Sequence, residues 1–252
     1  MGEEGLLHLF KSGKPCYGIY VSFPDSSMIE MIALAGYDFI RIDAQHTLFS
    51  LSEIRHLIEA ANAHGLPVFV RVSDLSQADA ILDAGADGLL VPGINDAAEA
   101  RAAVDKVKYA PLGHRGLSGF GRFNQFGQIN LQTYAEQANK NILLGIQIES
   151  RKGLENLDEI LSVDGIDIVS SGKNDLSQAL GLSAGQSSHP DVLAAENAII
   201  AKAIDHHKIP VMLVGNLDRQ KTLLEKGVSA FMIGRDTSIY FKALQANIQK
   251  YV

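Results

Sequence analysis

The stretch VFVRVSDLSQADAILDAGADGLLVP, residues 68–92, contains one complete structural unit. It opens with an apolar, β-branched run at 68–72 and passes into helical spacing over 77–84. Gly85 closes that helix, and a second apolar run, GLLVP, follows at 88–92. A strand, a helix and a second strand joined this way form a parallel βαβ unit. Working outward, the same phrase recurs in both directions. Strand-like runs stand at 18–23 (GIYVSF), 39–43 (FIRID), 143–149 (LLGIQIE), 166–170 (IDIVS), 211–214 (VMLV) and 230–233 (AFMI), bringing the expected strands to eight. Helical spacing fills 51–63, 97–107, 154–161, 192–204 and 220–226. LAGYD and EKGVSA, like DAGADG, end a helix on glycine just before a strand.

Near-continuous apolar strands alternating with helices over 252 residues predict an α/β protein with a single (β/α)8 TIM barrel spanning residues 1–252. The competing open, doubly wound sheet lacks its signature, because GIYVSFPDSS after the first strand has neither a GxGxxG nor a Walker loop. A helix at about residues 3–12 is placed to close the bottom of the barrel. The amphipathic stretch 240–251 predicts a C-terminal helix used in oligomerisation. Residues 111–130, PLGHRGLSGFGRFNQFGQIN, break the rhythm as a long glycine-rich loop, expected at the end of the barrel opposite the βα loops.

Composition narrows the function. Lys plus Arg number 22 against 29 Asp plus Glu, a formal charge of −7, so no basic field attracts nucleic acid or an anionic membrane. The one cysteine, Cys16, excludes an internal disulfide and a cysteine-based zinc site. The first residues are acidic and amphipathic, unlike a signal peptide, and no apolar run approaches the length of a membrane span. A cytoplasmic protein is expected.

Barrel chemistry gathers at the C-terminal ends of the strands. Asp43 ends the second run, with Gln45 and His46 just beyond, and Arg71 lies in the third between two valines that face the other way. A guanidinium there needs an anion, either a neighbouring carboxylate or a substrate carboxylate or enolate. Arg41 shares the parity of Asp43 but lies deeper, and a structural ion pair is expected for it. Gln147 and Glu149 face one side of the fifth strand, and Lys173, Asn174 and Asp175 follow the sixth. Glu149 and Asp175 thus come from neighbouring strands about 4.8 Å apart, where two carboxylates share an ion such as Mg²⁺ or Mn²⁺. Asp175 or Asn174 is alternatively an N-cap of the following helix. His46 is suited to carry a proton near neutral pH. His206 and His207, adjacent on a helix, are read as solvated.

The series IDAQH, VFVRV, ILDAGADGLLVP, PLGHRG, IQIES, SGKNDLS and IGRDTS resembles the HpcH/HpaI family of metal-dependent pyruvate aldolases, over nearly the whole chain. The resemblance implies the barrel, a hexamer with exchanged terminal helices, and reversible cleavage of a 4-hydroxy-2-oxo acid to pyruvate and an aldehyde. It implies Mg²⁺, Mn²⁺ or Co²⁺ on Glu149 and Asp175, with Gln147 beside them. Arg71 would steady the enolate, and His46 would act as base with Asp43 nearby and Asp83 as a possible orienting partner. The amides of Asn174 and Asp175 would hold the substrate carboxylate, and Leu213 would line the aldehyde side. This chain departs from the family in Gln45, where an acid is usual, in Lys173, where proline is usual, and in Tyr20, where tryptophan is usual. Three rivals follow: a Schiff-base aldolase through Lys173; an oxo-acid and acyl-CoA condensing enzyme, with Lys173, Arg115 and Arg122 meeting the extra anions; and a non-catalytic oxo-acid-binding protein.

Overall fold

Eight parallel strands close on themselves in chain order, β1-β2-β3-β4-β5-β6-β7-β8, as the alternating pattern predicts. The computed structural model of the protein describes residues 5–252. The strands are β1 (Cys16–Val21), β2 (Phe39–Asp43), β3 (Val68–Arg71), β4 (Gly88–Val91), β5 (Leu143–Ile148), β6 (Ile168–Ser171), β7 (Ile209–Leu213) and β8 (Ala230–Arg235). Among the described residues the helices are α1 (Leu6–Lys11), α2 (Ser26–Leu34), α3 (Leu51–Ala63), α4 (Ala78–Asp83), α5 (Ala97–Val107), α6 (Leu131–Asn141), α7 (Arg151–Glu155), α8 (Leu157–Leu161), α9 (Lys173–Ala179), α10 (Pro190–Asp205), α11 (Leu217–Leu224) and α12 (Asp236–Ile248).

The period-two alternation of each strand divides the core in two. Outward residues such as Ile40, Ile42, Val68, Val70, Leu144, Ile146 and Val169 pack under the helices. Inward residues Phe39, Phe69, Leu90, Leu143, Ile168, Val211, Ala230 and Met232 fill the lower barrel. Space for the two phenylalanine rings comes from glycines on the neighbouring strands. A Cβ at Gly18 would overlap Phe39, and one at Gly88 would overlap Phe69 and the Leu143 carbonyl. The expected N-terminal helix does plug the bottom: Leu6 and Phe10 of α1 are buried, and the Phe10 ring meets Phe39 edge-on at 5.1 Å. Residues 3 and 4 of that expected helix lie outside the described residues.

The inward positions change character toward the C-terminal ends of the strands. Above Phe39 come Arg41 and Asp43, above Phe69 comes Arg71, and above Leu143 come Gly145 and Gln147. The apolar floor thus carries a buried polar layer, and this layer forms the base of the site.

Several details differ from the sequence reading. Three helices had no legible stripe: α2 buries chiefly Ile29 and Ile32, α6 only Tyr134 and Ala138, and α9 is a short turn of helix. Asp25 and Asn130 nevertheless cap the first two with side-chain acceptors. The helix expected at 154–161 is divided at Asn156 into α7 and α8. The terminal helix begins at Asp236, not at 240, and leaves Tyr240, Phe241, Leu244 and Ile248 exposed. The 111–130 loop packs near the ends of α3 and α4, with Arg115 paired to Asp83 and Arg122 3.8 Å from Glu59. No described helix is long and apolar enough to cross a membrane.

Candidate active site

Strand register assembles the mouth of the barrel. Asp43 at the end of β2 pairs in register with Arg71 at the end of β3, and Tyr20 of β1 stands level with Arg41 on one side and Arg235 on the other. Asp43, fully buried, accepts Nε–H of Arg71 on Oδ1 at 2.9 Å and Nη2–H on Oδ2 at 2.8 Å. Its Oδ2 also accepts from Arg235 Nη2 at 2.8 Å, and its Oδ1 lies 3.4 Å from the backbone N–H of His46. One carboxylate therefore sets two guanidiniums and the loop that carries His46. Burial alone would push the Asp43 carboxyl up, but the hydrogen bonds and charges of Arg71 and Arg235 outweigh it and hold it at about 2.

Of the two readings of the Arg71 environment, the structure shows the neighbouring carboxylate, Asp43; the guanidinium also lines an open cavity. Nε and Nη2 are engaged, and among the described residues Nη1 has no acceptor. For Arg41 the expected ion pair is not formed. Its side chain, buried in the barrel, donates to Tyr20 Oη at 3.1 Å and approaches Ser170 Oγ at 3.5 Å, and it lies against the rings of Tyr20 and Phe69. Its Nε has no partner, and burial draws the guanidinium below its ordinary value. Asp43 is the acid whose charge acts on it, but both oxygens of Asp43 are taken by the two other arginines.

A cavity of about 800 Å³ opens above this layer, lined by Tyr20, Arg71, Gln147, Leu213 and Arg235 from the strands, by His46 from the loop after β2, and by Lys173, Asn174, Asp175 and Arg219 from α9 and α11. The structure thus brings together most of the expected site. Gln147 is buried and donates from Nε2 to Glu149 Oε2. Burial pushes the Glu149 carboxyl above its usual range, the Gln147 hydrogen bond opposes this, and the negative charge of Asp175 adds to the rise. A Cβ at Gly172 would overlap Glu149 and Gln147, so glycine is what lets the start of α9 approach them. Among the described residues no cationic side chain forms an ion pair with Glu149 or Asp175, and no cluster of three or more His, Cys, Asp or Glu stands at metal-binding separation.

Some expectations fail within the chain. Asp83 does not meet His46; it ends α4, at the opposite end of the strands, and accepts from Arg115 Nη2 at 2.6 Å. Arg115 and Arg122 are at that end too, so neither faces the cavity. Lys173 is not a free amine in an apolar pocket, since its Nζ lies 3.6 Å from the buried carboxylate of Glu196. The sequence reading missed Arg235 and Glu196. The first ends the eighth strand, where barrel chemistry is expected. The second is a charge on the buried stripe of α10 between Val192 and Ile199, which was a readable anomaly. A smaller cavity of about 480 Å³ between α5 and α8 contains none of these groups.

A closed parallel barrel with acidic, basic and imidazole groups converging over its C-terminal end defines an enzyme of the TIM-barrel class. Residues 16–243 match the family described as HpcH/HpaI aldolase/citrate lyase, and the chain belongs to that family and is a lyase. It is 34% identical over 247 residues to a protein of Shigella sonnei (strain Ss046) named 4-hydroxy-2-oxo-heptane-1,7-dioate aldolase, covering 97% of this chain and 93% of the relative. Among solved structures, the citrate synthase SbnG superimposes with a TM-score of 0.90 at 31% identity, over 99% of this chain and 98% of that one. An HpcH/HpaI aldolase from Desulfitobacterium hafniense DCB-2 gives 0.91 at 27% identity, over 98% and 96%.

The Asp43 network has a measurable consequence. A carboxyl held at about 2 in the fold against 3.8 when free stabilises the fold by about 2 kcal/mol above pH 4, and this is lost as the pH falls through the folded value. Urea unfolding from about pH 5 down to pH 2 is expected to show that loss, and Asp43→Asn to flatten it. The same variant should cost about 3–5 kcal/mol at neutral pH by leaving two arginines without their anion. An unchanged pH slope in Asp43→Asn would contradict the arrangement.

Proposed function

We propose that the protein is a divalent-metal-dependent aldolase that reversibly cleaves a 4-hydroxy-2-oxo acid into pyruvate and an aldehyde. The observation that carries this reading is the pairing of opposites at the mouth: Arg71, oriented by Asp43, faces the same cavity as Asp175 and Gln147, with Glu149 behind them. Two carboxylates that have no cationic side-chain partner among the described residues, one of them raised by burial, suit a hard divalent ion with oxygen ligands. Glu149 and Asp175 would hold Mg²⁺, Mn²⁺ or Co²⁺, with Gln147 fixing Glu149. When bound, such an ion supplies Lewis-acid polarisation of the 2-oxo group and charge to offset a developing enolate.

The residues of the chain do the rest. Arg71 presents its remaining Nη1 donors to the enolate oxygen, held in place before the charge develops. The amides of Asn174 and Asp175 meet the substrate carboxylate, and Leu213 lines the side of the aldehyde. His46, exposed at the mouth, takes the proton of the 4-hydroxyl, directly or through water. The C3–C4 bond then breaks, its electron pair passes into the enolate, and protonation at C3 yields pyruvate. A Schiff base through Lys173 is disfavoured, because its Nζ lies 3.6 Å from the buried carboxylate of Glu196 and not in the apolar pocket that activates an amine nucleophile.

With Mg²⁺, Mn²⁺ or Co²⁺, pyruvate release from a 4-hydroxy-2-oxo acid is expected, abolished by EDTA, restored by metal, and reduced at least 100-fold in Asp175→Ala. Full activity in EDTA, or in Asp175→Ala, would refute the reading. The likeness to citrate synthase SbnG favours one alternative, condensation of an oxo acid with an acyl-CoA. Thiol release from acetyl-CoA with oxaloacetate, in place of aldol cleavage, would select it.

We further propose that the protein forms a homo-oligomer, a hexamer by its resemblance to the family, through α12. The exposed Phe241, Leu244 and Ile248 make an apolar row at helical spacing that supports this. Sedimentation velocity should give a mass several times 27.2 kDa, reduced by Leu244→Glu. A monomer at micromolar concentration would contradict it.

A further inference from the structure

We propose that the hydroxyl of Tyr20 is a further catalytic donor, polarised from below by the buried guanidinium of Arg41, and that it hydrogen-bonds the oxygen on which the enolate charge develops. The assignment rests on the aldolase reading and gives a role to two residues that its steps leave idle.

The pair starts from a charge without a counter-ion. Arg41 is 2% exposed, and among the described residues it forms no ion pair, since both oxygens of Asp43 are bound by Arg71 and Arg235. It reaches across the interior of the barrel from β2 toward Ser170 on β6. Ser170 Oγ, at 3.5 Å, stands at the limit of a hydrogen bond and spends its own proton on the Val211 carbonyl at 2.7 Å. The firmer bond runs to Tyr20 Oη at 3.1 Å, and Nε has no partner. A guanidinium buried in this way is costly, and its field is little screened from whatever occupies the cavity above.

Tyr20 links that charge to the cavity. Its side chain lines the cavity while its oxygen accepts from Arg41, and among the described residues no acceptor takes the proton of its hydroxyl. A phenol whose oxygen accepts from a cation is a stronger donor, because each hydrogen bond in a chain polarises the next. Arg71 and Arg235 crowd the same ring, with guanidinium carbons 5.8 Å and 5.1 Å from its centre. An oxygen held by Arg71 Nη1 thus stands beside Tyr20, and charge developing there meets a second donor already in place. Tryptophan, usual at this position, has an indole N–H that donates but cannot accept from a guanidinium, so the coupling to Arg41 is a property of the tyrosine.

The test is a double-mutant cycle read with two ligands, each titrated calorimetrically in Mg²⁺: oxalate, whose planar dianion resembles the enolate, and pyruvate. Tyr20→Phe, which keeps the ring, is expected to weaken oxalate roughly 10- to 100-fold and pyruvate by less than about 3-fold. In turnover the same variant should lower kcat and leave KM nearly unchanged. Arg41→Met should reproduce part of the oxalate loss, and Arg41→Met/Tyr20→Phe should lose no more than Tyr20→Phe alone, since Arg41 acts through the hydroxyl. That double variant removes the buried charge together with its acceptor, so it reports even where Tyr20→Phe alone fails to fold. Oxalate affinity that survives the loss of the hydroxyl, an equal fall for pyruvate, or additive losses in the cycle would overturn the Tyr20 and Arg41 pair while leaving the aldolase reading standing. Binding of neither ligand by the unmodified protein would remove the aldolase reading and the pair with it.

Discussion

Two guanidinium groups at the mouth of the barrel share one carboxylate, Asp43, and the geometry of the candidate site depends on that sharing. Arg71 and Arg235 approach from strands on either side, Arg41 lies one layer below, and Tyr20 has a guanidinium carbon within 6 Å of its ring centre from each of the three. Three positive charges around one buried acid would repel one another and the fold would lose stability without it. With it, Arg71 is locked at Nε and Nη2 and offers only Nη1 to the cavity. Orientation of this kind is what an enolate stabiliser needs, because the donor is in place before the charge appears.

The cavity above holds a second charge system of opposite sign. Among the described residues Glu149 and Asp175 have no cationic side-chain partner; Arg71 is bound to Asp43, and Lys173 Nζ lies 3.6 Å from Glu196. The protein thus keeps its own cations from closing onto the carboxylates. Gly172 contributes by letting α9 come close without a side chain. The net charge of −7 over the chain conceals this local arrangement, in which positive groups stand beside uncompensated carboxylates around one cavity.

How much of this was legible depends on how far each side chain's environment is set by its own strand. Inward parity in a parallel barrel is local, so Asp43, Arg71, Gln147 and Glu149 could be placed from alternation alone, and the register then brought Asp43 beside Arg71 as neighbouring strand ends must. Partner choice is not local. Arg41 had the right parity for an ion pair, but Asp43 was claimed by Arg71 and by Arg235, which comes from six strands away in sequence and reaches it across β1 only once the barrel closes. Asp83 fails for a related reason: it ends a helix, and helices run back down the barrel, so it lies at the opposite end from His46. Glu196 was visible as a charge on an apolar stripe, but only the fold shows that the stripe faces Lys173 and Arg219.

The central claim is that an Arg71 fixed by Asp43 stabilises an enolate of pyruvate in this cavity. Exchange of the pyruvate methyl protons in deuterium oxide, followed by proton NMR with Mg²⁺ or Mn²⁺ and no aldehyde, tests it most directly. Saturable exchange in the unmodified protein is predicted, falling by about 100-fold or more in Arg71→Lys, which keeps the charge but cannot reproduce the bidentate fork. No exchange above the protein-free rate, or exchange that Arg71→Lys leaves unchanged, would contradict the account.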